Sequence, residues 1–211
     1  MRGFTNFCGT LCAAMSLGAA AHAAPVQWDS ASGGNGHWYD FVILDDGITT
    51  SAAEAAAESA TFMGETGYLA TITSAAEQAF LNTIWPGAGS VTGLFNDYSY
   101  FLIGASDRAT EGAFEWIGGD EEGDALSYTN FKLGEPNNNN GSGGQEDYVV
   151  AWWEDSVSGL WNDVGESANI RAYLVEYDAP ANMSPVPLPA SLPMLVLALG
   201  GTVALRRKMT R

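Results

Sequence analysis

The sequence predicts an α+β domain, and three observations lead there. Two serine–glutamate helix starts fall in the first half of the chain. Short aromatic and β-branched runs, divided by long polar loops, fill the second half. Helices and strands therefore come in blocks, without the alternation that a parallel βαβ sheet requires.

Each element has its own signal. Ser51-Ala-Ala-Glu54 and Ser74-Ala-Ala-Glu77 have the spacing of capping boxes, a serine that accepts from the N3 amide and a glutamate that reaches back. They predict alanine-rich helices over 52–64 and 75–85. Tyr68–Ile72 between them reads as a strand, as does His37–Leu44 before them, with His37 at the strand edge. Later strands are expected at Tyr100–Ala105, Phe114–Ile117, Tyr148–Trp153 and Arg171–Tyr177. Residues 24–36 end in Ser-Ala-Ser-Gly-Gly-Asn-Gly and read as a flexible lead-in. The run Asn137–Gly144, four asparagines followed by glycine and serine, is a loop by composition.

Charge excludes one class of partner. The 211 residues carry a net charge of −17, but all 25 acids lie between Asp29 and Asp178. Only Arg108, Lys132 and Arg171 oppose them there, so this stretch carries −22. Nucleic-acid affinity rests on neutralising phosphates, so no nucleic-acid partner is expected. Cys8 and Cys12 are the only cysteines and lie near the N-terminus, leaving the remainder without a disulfide or thiolate. His37 is the one histidine beyond residue 22, which speaks against zinc or a His-based triad.

The two ends read as targeting segments. Residues 1–23 combine Arg2, an apolar run from Phe7 to Ala20 and the small-residue pattern Ala21-His22-Ala23, the layout of a signal peptide cut before Ala24. Residues 37–178 form the domain and 179–187 a linker. Residues 188–205 carry no charge and are just long enough to cross a bilayer, with a basic tail at 206–211. Val186-Pro187-Leu188-Pro189-Ala190 followed by this segment and Arg206-Arg207-Lys208 resembles the PEP-CTERM sorting signals of Gram-negative bacteria, in their VPLPA variant. That resemblance implies an exosortase-type processing enzyme as partner, passage through a membrane-anchored form, and delivery to the cell envelope, surface or extracellular matrix, often where exopolysaccharide is made.

The chemistry concentrates in the second half. Glu135-Pro136-Asn137, Glu146-Asp147 and Trp161-Asn162-Asp163 occur in that order, with the glycine-rich loop between the first two. Calcium takes six to eight oxygens from carboxylates, amides and carbonyls. Glu135, Asn137, Glu146, Asn162 and Asp163 offer three carboxylates and two amides. With Phe101-Leu-Ile-Gly104, Glu115-Trp116 and Tyr128-Thr-Asn-Phe131, these pieces resemble a C-type lectin-like domain over about residues 37–178.

The resemblance implies that Glu135, Asn137, Glu146, Asn162 and Asp163 hold a principal Ca2+ and that Pro136 follows a cis peptide bond. It implies sugar contacts from Glu135, Asn137, Glu146 and Asn162, and an auxiliary calcium set of Asp107, Glu111, Asn138, Glu146 and Asp147. Asn138 stands there where Asp is more typical, removing a charge. The family's usual cysteines are missing, with Tyr148 and Val175 at two of their positions, and the Glu135–Glu146 loop is longer than in compact members. The expected function is calcium-dependent binding of a glycan or exopolysaccharide, of mannose type. The alternative keeps the fold for a surface matrix or adhesion module gripping a protein or other non-sugar ligand. An enzyme is not expected: 25 acids guarantee chance carboxylate pairs, and no G-x-S-x-G, Walker or H-E-x-x-H motif occurs.

Overall fold

The computed structural model describes residues 21–22, 24–84, 100–139, 141, 143–152 and 159–180. The chain divides into Met1–Asp178 and Ala179–Arg211, and the fold belongs to the first unit. Most of the linker, the apolar segment and the basic tail, like most of the N-terminal segment, lie outside the described residues. Among the described residues no helix is long and apolar enough to cross a membrane.

In chain order the elements are β1 (Ala21–His22), β2 (Val26–Gln27), β3 (Trp38–Ile48), α1 (Thr50–Ser59), β4 (Thr61–Phe62), β5 (Glu65–Thr66), β6 (Tyr68–Leu69), α2 (Ala75–Ile84), β7 (Tyr100–Ser106), β8 (Glu115–Trp116), β9 (Tyr148–Trp152), β10 (Trp161–Val164) and β11 (Ile170–Tyr177). The main sheet runs β1-β3-β11-β7-β9-β10, with β2 on β3, β6 on β11 and β8 on β7. The first and last long strands pair antiparallel, Trp38 opposite Tyr177 and Phe41 opposite Leu174. That pairing brings the two ends of the domain together. The α+β expectation holds.

Alternation along the strands explains the core. On β7, Phe101, Ile103 and Ala105 face one buried cluster and Leu102 the other; on β11, Ala172 and Leu174 face the first and Tyr173, Val175 and Tyr177 the second. The first cluster holds Leu81 of α2 with Trp116 and Trp161; the second holds Ala53 and Ala57 of α1. With both faces covered, these strands read as continuous apolar runs in the sequence. Tyr148 and Val175, at two of the missing cysteine positions, both pack in the second cluster. Gly104 is required where β7 crosses β6, because a Cβ would stand 2.2 Å from the Leu69 carbonyl oxygen.

Several elements differ from expectation. The first helix starts earlier: Thr49, two residues before Ser51, is the N-cap and accepts from the Ala52 amide at 3.2 Å. Glu54 does not reach back but forms a two-point ion pair with Arg108. The helix ends at Ser59, short of 64, because Met63 and Gly64 turn the chain into the hairpin β4–β5. Ser74 does cap the second helix, accepting from Glu77 N at 3.1 Å, whereas the Glu77 carboxylate accepts from Thr73. Strand β6 is only two residues long, and β10 has no counterpart among the expected strands.

The lead-in is held rather than loose. Ser30–Ser32 form a 3-10 turn capped by Asp29, and Asn35 donates to the Tyr39 hydroxyl at 2.8 Å. His37 belongs to a polar network rather than to a bare strand edge. Glu77 and Glu176 are each 1% exposed, and the Tyr39 hydroxyl lies 2.5 Å from Glu77 Oε1 and 2.9 Å from Glu176 Oε1. His37 Nδ1 lies 2.7 Å from Glu176 Oε1, Thr71 N donates to Glu176 Oε2, and Thr73 N to Glu77 Oε2. The network ties β3, α2 and β11 together at the edge of the first core cluster.

Candidate functional site

The site grows from Trp161. Its ring is fully buried, its indole N–H donates to Gln78 Oε1 at 2.9 Å, and Tyr128, Phe131 and Trp116 meet it edge-on. Trp161 is therefore core, and it fixes the start of β10. Lys132 N donates to the Trp161 carbonyl at 2.9 Å, which docks the loop before Glu135 onto that strand. The turn Lys132–Glu135 closes with Glu135 N on Lys132 O at 2.9 Å, and Gly134 supplies the left-handed φ of 99° it needs.

The next peptide, Glu135–Pro136, is cis. Asp163, 1% exposed, clamps the two residues after it: Asn137 N donates to Oδ1 at 3.1 Å and Asn138 N to Oδ2 at 2.6 Å. Asn139 N donates to Glu146 Oε2 at 2.8 Å, and Glu146 N donates back to Asn138 Oδ1 at 2.7 Å. Three successive amides and two carboxylates thus shape the loop. Asn138 takes the left-handed φ of 48°, a conformation asparagine tolerates better than most residues.

Three carboxylates converge here. Burial pushes the Glu135 carboxyl above its ordinary range, and neighbouring Asp163 adds to this, while Lys132 and Asn137 offset part of it. Burial likewise raises Glu146; the Asn139 amide works against the shift, and Asp163 and Glu135 add to it. Glu135 Oε2 is buried with no hydrogen-bond partner among the described residues. Asn162 follows Trp161 on β10 with the opposite facing, and its amide nitrogen donates to the Asp163 carbonyl.

The second set lies alongside. Asp107 is buried, with Oδ2 accepting from Gly112 N at 2.8 Å and Oδ1 without a partner among the described residues. Burial raises its carboxyl, and Glu111 and Asp147 reinforce this. Glu111 accepts from the amides of Asn138 at 2.9 Å and Gln145 at 2.7 Å. Asn138 therefore joins the two sets, its amide nitrogen on Glu111 and its oxygen on the Glu146 amide. Gln145 is a contact that the sequence pattern does not single out.

Among the described residues no three carboxylates or imidazoles are drawn into a metal cluster by themselves. The donor set nevertheless fits a hard cation. Each set contains one buried carboxylate oxygen without a hydrogen bond, a costly arrangement for a charged acceptor unless a cation meets it. Asp163 also keeps lone pairs beyond the two taken by backbone amides.

The profile of the Lectin C-type domain matches residues 51–172, more than half of the chain. The chain belongs to the C-type lectin family. Halomucin of Haloquadratum walsbyi is 32% identical over 152 residues, covering 68% of this chain and 1% of that protein. Ladderlectin of Oncorhynchus mykiss is 38% identical over 96 residues, covering 46% of this chain and 43% of that one. This chain thus spans less than half the length of either relative. Among solved structures, the C-type lectin CEL-I of Cucumaria echinata superposes with a TM-score of 0.50 at 28% identity, over 67% of this chain and 89% of CEL-I. A CEL-I variant described as an EPNH mutant gives 0.50 at 29%, over the same shares.

Proposed function

We propose that this C-type lectin domain binds glycans through calcium held by Glu135, Asn137, Glu146, Asn162 and Asp163. The observation that carries this reading is the convergence of the Glu135, Glu146 and Asp163 carboxylates, the two glutamates raised by burial and mutual repulsion, with Glu135 Oε2 unpartnered among the described residues. When bound, calcium offers spare coordination positions to sugar hydroxyl oxygens. The residues supply the rest. Glu135 and Glu146 only accept, so they orient hydroxyl protons toward themselves. The amides of Asn137 and Asn162 also donate, so one hydroxyl can be met from both sides. Glu135 followed by Asn137 supports a mannose-type preference, in which adjacent hydroxyls are equatorial. Asp107, Glu111, Asn138, Glu146 and Asp147 form the auxiliary set, which Asn138 leaves one charge short.

Export belongs to the same proposal. Cleavage before Ala24, removal of Leu192–Arg211 by an exosortase-type enzyme, and delivery to the envelope or matrix would place the lectin among exopolysaccharides. The family's members are in general not enzymes, which accords with a binding role.

The test is calcium titration of residues 24–180 followed by melting. A ligand at a hundredfold excess over its dissociation constant adds about 2.7 kcal/mol. The midpoint is expected to rise with Ca2+ and fall with chelator. Asp163→Ala removes a ligand and the loop clamp together, so it is expected to abolish most of the calcium response. A chelator-insensitive transition contradicts the metal site. Calcium binding without sugar binding would favour the adhesion alternative.

A further inference from the structure

We propose that Lys132 is a specificity residue that selects acidic sugars, uronates, at the glycan site; the inference rests on the sugar-site reading above. Between Asp29 and Asp178 the chain has three cations against 25 acids. Arg108 is committed to Glu54 in a two-point ion pair. Lys132 forms no ion pair among the described residues; its ammonium sits 4.7 Å from the centre of the Trp152 ring. A lysine in so acidic a domain finds carboxylate partners easily, so its placement on an aromatic face beside Glu135 calls for a reason.

The geometry supplies one. Lys132 opens the tight turn whose fourth residue is Glu135, and its backbone is pinned to Trp161. The tip of that turn, Leu133, is 101% exposed, so the turn itself lies at the surface. The cation–π contact limits the ammonium's wandering while leaving its N–H donors available. Lys132 is also near enough for its charge to act on the Glu135 carboxyl.

Lys132 offsets the repulsion that an anion would otherwise meet beside Glu135. Glu135, Glu146 and Asp163 against a divalent cation leave one negative charge, and Lys132 cancels it. The larger negative field of the domain is screened over about 8 Å at physiological salt, so the nearest charges decide. A sugar bound through its ring hydroxyls beside Glu135 would place an exocyclic carboxylate within reach of Lys132. A neutral sugar gains nothing from that contact.

The experiment compares methyl α-mannopyranoside with methyl α-mannopyranosiduronate, which differ at C6 only, by titration into the calcium-loaded domain. The quantity read is the ratio of the two affinities within each protein. Wild type is expected to favour the uronate by about threefold to fivefold, the range of an exposed ion pair, and less so as sodium chloride rises. Lys132→Gln should bring the ratio to one or below, and Lys132→Arg, which keeps the charge and stacks on tryptophan, should retain the preference. A wild-type ratio of one, or a ratio that Lys132→Gln leaves in place, overturns the role of Lys132 while the sugar reading stands. Failure of both sugars to bind overturns the sugar reading and this inference together.

Discussion

At the Glu135–Asn137 pair, hydrogen-bond polarity decides which hydroxyl geometry is satisfied. A carboxylate only accepts, whereas an amide both donates and accepts, so exchanging the two across the metal reverses the pattern offered to a sugar. Asn137 holds Asp163 through its backbone N–H, which a side-chain change does not touch. The double substitution Glu135→Gln and Asn137→Asp also conserves charge and size. Calcium binding should therefore persist while preference moves from mannose-type toward galactose-type ligands. A mismatched polar group near the ion costs roughly 1–3 kcal/mol, a change of about fivefold or more in relative affinity. Competition by methyl mannoside and methyl galactoside against one immobilised ligand measures it; an unmoved ratio would show that other residues set the preference. The Asn138–Gln145 loop, joined to Glu111 through two amides, is the place to look in that case.

The polar network under β3, α2 and β11 makes a second, separate prediction. Tyr39 has one hydroxyl proton, yet its oxygen contacts both Glu77 and Glu176. If Glu77 carries a proton and donates it to Tyr39, the Tyr39 proton can go to Glu176 and every contact is satisfied. Burial, with the Glu176 charge behind it, pushes Glu77 up to about 7. The hydrogen bond to Glu176 raises His37 above its usual value, and Asp178 and Glu77 add to this. Tyr68, on Asp178, and Glu121, on Thr71, complete the groups facing this cluster. Both shifts have the same sign. A pKa raised on folding gives stability that is present below the unfolded value and lost as pH rises through the folded one. The metal-free domain should therefore lose roughly 3 kcal/mol from Glu77 between about pH 4.5 and pH 7, with His37 adding a loss above about pH 6.5. In Glu77→Gln the amide oxygen can keep the Thr73 contacts and the amide nitrogen can donate to Tyr39. Denaturant midpoints against pH should be flatter in this variant, and parallel curves for the two proteins would refute the shared-proton account.

At the scale of elements, legibility in the sequence depends on how local each signal is. Ser74 and the alternating or continuous apolar runs report local geometry, and they locate α2 and the long strands within a few residues. By type Ser51 is a slightly better cap than Thr49, so sequence alone favours the later start of α1. Tertiary contacts decide between them: Ser51 turns to Glu166 and Glu54 to Arg108. The pairing of Glu77 with Glu176 across 99 positions leaves no local trace, so His37 and the lead-in look peripheral in the sequence. The motif order points to the candidate ligands, but not to Asp163 as the clamp of two backbone amides, which depends on the path of the loop.

For the whole molecule, the −22 of the acidic stretch and its two adjoining acidic sets point to a domain that gains from a bound cation. Its ends carry a further expectation. Intact mass of the protein from envelope and secreted fractions should begin at Ala24, and processed forms should lack Leu192–Arg211. Finding the complete tail in every fraction would replace processing by a plain anchor. A surface-tethered lectin could gain avidity by clustering, since linked weak sites raise effective affinity without new contacts. The central claim is that sugar is bound through the calcium at Glu135, Glu146 and Asp163. It is tested most directly by binding of residues 24–180 to an array of neutral and acidic glycans at millimolar calcium, repeated with chelator and with Asp163→Ala. The account predicts binding to mannose-type glycans that chelator and the substitution both remove. Binding that survives chelator, or no glycan bound at millimolar calcium, would contradict it.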